Sequence, residues 1–162
     1  MRHIWSGFLL SLALTCGAET YSAKATQVSD GDTLWVKPDA EQAPRKLRLL
    51  GIDAPELCQS GGKASRVALW QLVHNQSLLV RVDFADSYGR GLASIKVGGR
   101  DVAAAMVSAG QAWSSDWQHR AGPYAQQEAQ ARSAGLGLFA QTDAELPRVF
   151  RKRYGSCYPK RG

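Results

Sequence analysis

The chain has 162 residues, of which 44% are hydrophobic and 16 are glycine, with 20 Lys and Arg against 14 Asp and Glu. That composition excludes a disordered or collagen-like chain and suits one domain around one core. The formal charge is +6, and residues 148–162 alone carry six cations, Arg148, Arg151, Lys152, Arg153, Lys160 and Arg161, with no acid among them.

The N-terminus opens on Arg2 and His3, continues through the apolar run "IWSGFLLSLALT", and then offers small residues at Gly17, Ala18, Ala23 and Ala25. This is the order of an export signal, predicted over residues 1–18 with a cut as late as residue 25. An uncleaved anchor is one alternative, although the apolar run is shorter than the roughly 20 residues that a spanning helix needs. A lipid-modified Cys16 is another, with Thr15 a poor residue before it. A cut after Ala18 or Ala25 removes Cys16 and leaves Cys58 and Cys157. In an exported protein, two cysteines predict a disulfide, here closing a loop of about 100 residues and worth ~4 to 5 kcal/mol in the chain-entropy account; two free thiols are the alternative. The chain is then expected in the periplasm or the medium, with no stable membrane span.

Past the leader, "ATQVSDGDTLWVKP" reads as two extended runs around an Asp-Gly turn. "PRKLRLLGI" is a third strand. "SLLVRVDF" alternates, with Leu78, Val80, Val82 and Phe84 on one face, and "GLASIKV" ends at the turn signal Gly98-Gly99. Helical spacing appears in "KASRVALWQLV", which groups Ala64, Val67, Ala68, Leu72 and Val73, and in "RDVAAAMVSAG", which groups Val102, Ala105, Met106 and Ala109. "PYAQQEAQARSAG" has Pro123 in its first turn and Gly135 at its end. The order strand, strand, strand, helix, strand, strand, helix, helix predicts a small β-barrel with helices outside it, not alternating βαβ units.

Three polar clusters fall at strand ends: "DGDT" at 30–33, "RLLGIDAPE" at 48–56 and "DSYGRG" at 86–91. They bring carboxylates at Asp30, Asp32, Asp53 and Glu56, and guanidinia at Arg48 and Arg90. Unpaired charges are costly in so apolar a setting as "LRLLGIDAPEL". Strand alternation turns Leu47 and Leu49 to one face and Arg48 to the other, and Gly51 and Pro55 then end the strand and carry Asp53 and Glu56 over the rim. Carboxylates without His or Cys suit a hard cation such as Ca²⁺ or Mg²⁺ and not zinc. Arginines suit a phosphate, which their planar fork grips through two oxygens. Each cluster alone is more often a plain turn or strand end; the three in this order are not.

"DGDT", "RLLGIDAPE", "YGRGLA", "AAMVSAGQAW" and "EAQARSAGLGLF" together resemble the staphylococcal nuclease family, the thermonucleases, over roughly residues 25–139. The resemblance implies a mainly β fold with α (α+β), a five-stranded OB-fold barrel with about three packed helices, over 26–140, followed by a basic tail at 141–162. It implies a Ca²⁺-dependent endonuclease that cuts DNA and RNA, single strands preferred, to 3′-phosphate ends, acting as a monomer with one ion. In the family's pattern Asp32 and Asp53 are metal ligands and Ala54 ligates through its backbone carbonyl. Arg48, Arg90 and Glu56 take the catalytic places, and Tyr88 that of a terminal-phosphate contact. One departure is Ser87, where family members often carry lysine. The chemistry agrees: phosphodiester hydrolysis loads negative charge onto non-bridging oxygens, which a cation and two arginines stabilise increasingly toward the transition state. Glu56 would orient or deprotonate the attacking water.

Trp70, Trp113, Trp117, Tyr124, Tyr154 and Tyr158 are divided by this reading between base stacking and packing. The tail either holds nucleic-acid backbone by charge or is a solvated end. A non-catalytic nucleic-acid-binding OB module is the rival reading, since the fold serves binding alone elsewhere. Carboxylates beside a polyanion are of no use to such a binder.

Overall fold

The computed structural model describes residues 18–116, 120–142 and 144–157. The predicted leader up to residue 17, and Trp117, Tyr158, Lys160 and Arg161, lie outside the described residues.

In chain order the elements are β1 (Glu19–Val28), β2 (Thr33–Pro38), β3 (Arg45–Leu49), β4 (Ile52–Asp53), α1 (Gly62–Val73), β5 (Leu78–Ala85), β6 (Gly91–Val97), β7 (Arg100–Asp101), α2 (Val102–Ser108), β8 (Trp113–Ser114), α3 (Ala125–Ser133) and α4 (Pro147–Tyr154). A 3-10 turn at Gly137–Ala140 follows α3. β3, β2, β1, β5 and β6 are hydrogen-bonded in that order, and a parallel pairing of β3 with β6 closes them into a five-stranded barrel. The closure matches Leu47 with Gly91, Arg48 with Leu92 and Leu49 with Ala93. This is the expected OB-type α+β barrel, with four α-helices in place of about three.

Alternation builds the interior. Leu34, Val36, Leu47, Leu49, Leu78, Val80 and Ile95 are fully buried inside the barrel, and Leu69 and Val73 of α1 with Met106 and Val107 of α2 extend the same core. The pattern fails where the backbone changes phase. A register shift between Val82 and Phe84 in the β5–β6 ladder leaves Phe84 59% exposed rather than in line with Val80; a bulge of this kind turns the residues beyond it to the other face.

The helices bury other faces than the apolar spacing predicts. α1 buries Gly62, Ser65, Leu69 and Val73, leaving Val67 exposed. The reason is closeness: a Cβ on Gly31 would stand 1.8 Å from Ser65 Oγ and 2.7 Å from Ala54 Cβ, so α1 packs its small residues against the "DGDT" loop. Ser65 Oγ then donates to the Gln111 carbonyl at 2.6 Å, which satisfies a hydroxyl that apolar spacing reads as an outward position. In α2 the buried set is Val102, Ala103, Met106 and Val107, with Asp101 capping the helix by accepting from the Ala104 N–H at 2.9 Å.

The described part of the basic C-terminal segment pairs its arginines with acids, while Arg148 and Arg153 stay more than half exposed. It forms α4, with Pro147 at the first turn, where its missing N–H costs nothing. Arg148 pairs with Asp116 at 2.6 Å and Arg153 with Glu145 at 2.8 Å, and a disulfide joins Cys157 to Cys58. Buried Gln59 adds a polar link, its side-chain amide donating to the Glu145 carbonyl at 2.6 Å.

Candidate active site

The barrel's closure determines where the polar clusters go. Thr33 at the start of β2 is registered with Arg48 of β3, and Arg48 with Leu92 of β6, two residues after Arg90. The "DGDT" loop, the Arg48 side chain and the "DSYGRG" loop therefore open at one barrel end. The Leu49 N–H donates to the Asp32 carbonyl at 2.8 Å and locks the first loop onto β3. Beyond β3, Gly51 turns the chain with φ +77°, a conformation that favours glycine, and its carbonyl accepts from the Ser115 N–H at 2.8 Å. β4 then pairs Asp53 with Trp113 and carries Asp53 to the rim.

An open cavity of about 510 Å³ lies at this end, lined among others by Asp30, Asp32, Arg48, Ala54, Glu56, Tyr88, Arg90 and Arg151. Arg48 is the centre of its charge network. One arm of its guanidinium donates to Asp32 Oδ1 at 2.8 Å and the other to Asp53 Oδ1 at 2.9 Å, so two carboxylates distant in sequence are held one guanidinium apart. Asp32 is 2% exposed; its Oδ1 also accepts from Thr33 Oγ1 at 3.0 Å and its Oδ2 from the Ala54 N–H at 2.9 Å. Asp30 lies alongside, accepting from the Asp32 N–H at 3.1 Å. Desolvation by burial, reinforced by the Asp32 charge, pushes the Asp30 carboxyl up to about 7.

Arg90 is aimed by its own loop. Asp86 accepts the backbone N–H of Tyr88 at 2.9 Å and of Arg90 at 3.0 Å through Oδ1, and takes the Arg90 guanidinium on Oδ2 at 2.7 Å. Desolvation acts against it, but these backbone and guanidinium donors hold the Asp86 carboxyl below its ordinary value. The far arm of Arg90 approaches Thr33 Oγ1 at 3.5 Å, linking it through Thr33 to Asp32. Tyr88 is 82% exposed at the cavity mouth, its ring 5.3 Å from the Arg90 guanidinium carbon.

Glu56 follows β4 in a short turn where its N–H donates to Gln59 Oε1 at 3.1 Å. Its side chain meets a residue outside the three motifs. Arg151, from α4, donates to Asp53 Oδ1 at 3.2 Å, Asp53 Oδ2 at 3.0 Å and Glu56 Oε1 at 3.1 Å. Desolvation opposes the charge, but Asp53 and then Glu56 hold Arg151 above its ordinary value.

All the predicted site residues thus come together: Asp32, Asp53, Ala54, Arg48, Glu56, Arg90 and Tyr88, with the Cys58–Cys157 bridge at the edge. Two residues escape motif reading. Asp86 is marked by the Asp and Arg of its loop lying four apart. Arg151 is marked only by belonging to an acid-free run, because its partners are 95 and 98 residues away. The aromatic candidates divide. Trp113 is 2% exposed and meets Phe139 edge-on, and Tyr124 packs on the core with its hydroxyl donating to Asp101 at 3.1 Å. Tyr154, on α4, remains 67% exposed.

The residues suit a hard cation in donor type: Asp32 and Asp53 offer carboxylate oxygens that one guanidinium already bridges, and no Cys or His is among the described residues that line the cavity. Among the described residues, no group of three or more His, Cys, Asp or Glu side chains is arranged to hold a metal by itself. A cation here would need backbone oxygen or water as well.

Residues 46–141 match the family described as staphylococcal nuclease homologue. The chain belongs to the staphylococcal nuclease family. Among its relatives, this nuclease is 28% identical over 145 residues to an uncharacterized endonuclease of Haemophilus influenzae, covering 90% of this chain and 81% of that one. It is 34% identical over 140 residues to the protein ParB of Escherichia coli, covering 80% and 78%. A probable staphylococcal-like nuclease of Oryza sativa subsp. japonica is 34% identical over 116 residues, covering 70% of this nuclease but 32% of the plant protein. The match beginning at residue 46 takes in two of the three polar clusters of the nuclease, and the barrel supplies the third from β1 and β2.

Proposed function

We propose that this nuclease is exported and uses one divalent cation, Ca²⁺ by its all-oxygen donors, to cut single-stranded DNA and RNA endonucleolytically to 3′-phosphate ends, as a monomer. The observation that carries the reading is the convergence of Arg48, Arg90, Asp32 and Glu56 on one open cavity, with Asp53 held to it through Arg48.

In this mechanism the scissile phosphate lies between Arg48 and Arg90, whose forks take its non-bridging oxygens; Asp86 keeps Arg90 extended toward it. Tyr88, at the mouth, takes the neighbouring phosphate. Glu56 orients a water for attack on phosphorus and accepts its proton as the new P–O bond forms. The bond to the 5′ oxygen breaks as a solvent water of the open cavity gives that oxygen a proton, so that it leaves as a hydroxyl and the phosphate stays on the 3′ side. A bound cation, held by Asp32, Asp53 and the Ala54 carbonyl, would add positive charge beside the same oxygens. The arginines' stabilisation grows as charge accumulates, so they act on the barrier more than on binding.

Two observations support export. β1 begins at Glu19 and pairs Glu19 to Ala23 with β5, so removing residues 1–18 leaves the sheet whole, whereas a cut after Ala25 would strip buried Ala23 from it. The disulfide also suits an oxidising compartment. Among the described residues, no helix is long and apolar enough to cross a membrane.

The test uses the chain from residue 19 with single-stranded DNA and Ca²⁺, with and without chelator, beside Glu56→Ser and Arg90→Ala. The expected result is cleavage that chelator abolishes, product strands ending in 3′-phosphate, and loss of at least about 100-fold in each variant. DNA that is bound but never cut, with any divalent ion, would overturn the proposal.

A further inference from the structure

Arg151 makes a contact that a structural arginine does not need. Its guanidinium donates to both oxygens of Asp53 and to Glu56 Oε1, the acid assigned to the cation and the acid assigned to the water. Asp53 Oδ1 accepts from both Arg48 and Arg151, which fills its two acceptor sites, and Oδ2 accepts from Arg151 at 3.0 Å. An incoming cation would meet a positive group directly on the carboxylate it needs.

We infer that Arg151 is a positioning residue of the active site: it holds Asp53 and Glu56, and it competes with a divalent cation for Asp53. The inference rests on the cation-dependent reading of the preceding section. The fold supplies the means of keeping Arg151 in place. The pairs Arg148–Asp116 and Arg153–Glu145 lie on either side of it, and the Cys58–Cys157 bond ties the end of the segment two residues from Glu56. So tethered, the guanidinium competes intramolecularly, at an effective concentration set by the tether. The arrangement compensates two close carboxylates, Asp53 and Glu56, and sets a threshold of cation concentration for assembling the site.

The sign of one measurement separates this role from simple packing. Ca²⁺ is titrated calorimetrically, without DNA, into the wild-type chain, Arg151→Gln, Arg151→Lys, and the double variant Cys58→Ser with Cys157→Ser, each checked for fold by circular dichroism. The expected result is Ca²⁺ binding roughly tenfold tighter in Arg151→Gln, an intermediate gain in Arg151→Lys, which keeps the charge but loses the fork, and a gain in the cysteine variant that adding Arg151→Gln does not increase. Unchanged or weaker binding by folded Arg151→Gln overturns the inference and leaves the cation reading standing. If Arg151→Gln does not fold, Arg151→Lys and the cysteine variant decide by the same sign. Absence of Ca²⁺ binding in every variant overturns both.

Discussion

Asp86 does not line the cavity, yet it decides where Arg90 points. Its two oxygens together take the Tyr88 and Arg90 N–H groups and the Arg90 guanidinium. Asp86→Ala is therefore expected to lower kcat by up to about 100-fold through misplacement of one reacting group, with Asp86→Asn in between and the thermal midpoint little changed; equal steady-state constants for wild type and Asp86→Ala would refute the role. Asp30 yields a prediction of the opposite electrostatic kind. Its carboxyl is raised to about 7 by burial and by Asp32, so the folded protein holds the proton more tightly than the unfolded chain. That contribution is fully present below about pH 4 and is lost as pH rises through about 7. In chelator, the melting temperature of the wild type is expected to fall between pH 4 and 7.5 relative to Asp30→Asn, and parallel profiles would refute the assignment. The residues legible in sequence are those whose motif is local: Asp32, Arg48, Asp53, Glu56 and Arg90 each lie in a short cluster at a strand end. Arg151 was not legible, because nothing within its own helix indicates two carboxylates on the far side of the chain.

The same divide appears among the elements. β3, β6, β2 from Leu34 and β5 as far as Val80 follow their alternation because one face of each fills a closed barrel, and that face leaves a readable period. α1 misleads because its buried stripe is Gly62, Ser65, Leu69 and Val73, two of them not apolar markers. α4 has only a short apolar stripe, in which the Phe150 and Tyr154 rings lie 4.9 Å apart, and otherwise meets distant partners through ion pairs and a covalent bond. β4 and β8, at two residues each, are too short to have any period, although they carry Asp53 to the rim. The closeness of α1 to the "DGDT" loop gives a prediction at this scale. In Gly31→Ala the added methyl would meet Ser65 Oγ and the Ala54 Cβ, and either the loop or the helix must move. A loss of ~1 to 3 kcal/mol in urea unfolding is expected, with a fall in activity larger than that loss explains, because the displaced loop carries Asp32. Gly31→Ala combined with Ser65→Gly removes the closest contact and is expected to recover part of both; failure of the pair to recover either would show that the clash is not the cause.

For the molecule as a whole, the question is what joins a barrel core to a C-terminal segment that buries little apolar surface of its own. Of the residues in α4 only Pro147 is buried, and the pairs Arg148–Asp116 and Arg153–Glu145 are half exposed on their basic side. Exposed pairs contribute ~0 to 1 kcal/mol each, too little to offset the ordering of eight helical residues at about 1 kcal/mol or more apiece. The Cys58–Cys157 bond changes that balance by closing a loop with a sequence separation of 99, which removes entropy from the unfolded chain. Because the loop contains β5, β6 and the three preceding helices, the bond stabilises the whole fold and not α4 alone. Reduction, or the paired Cys→Ser variant, is expected to cost ~4 to 5 kcal/mol, seen as a lower urea midpoint. Proteolysis under native conditions separates the two consequences. If α4 depends on the tether, cleavage in the reduced protein begins beyond residue 146 while the barrel remains intact, whereas an oxidised protein is cut there no faster than elsewhere. A reduced protein that lost stability with no preferential cutting near α4 would mean that the helix is held by its own contacts and that the bond acts on the unfolded chain alone.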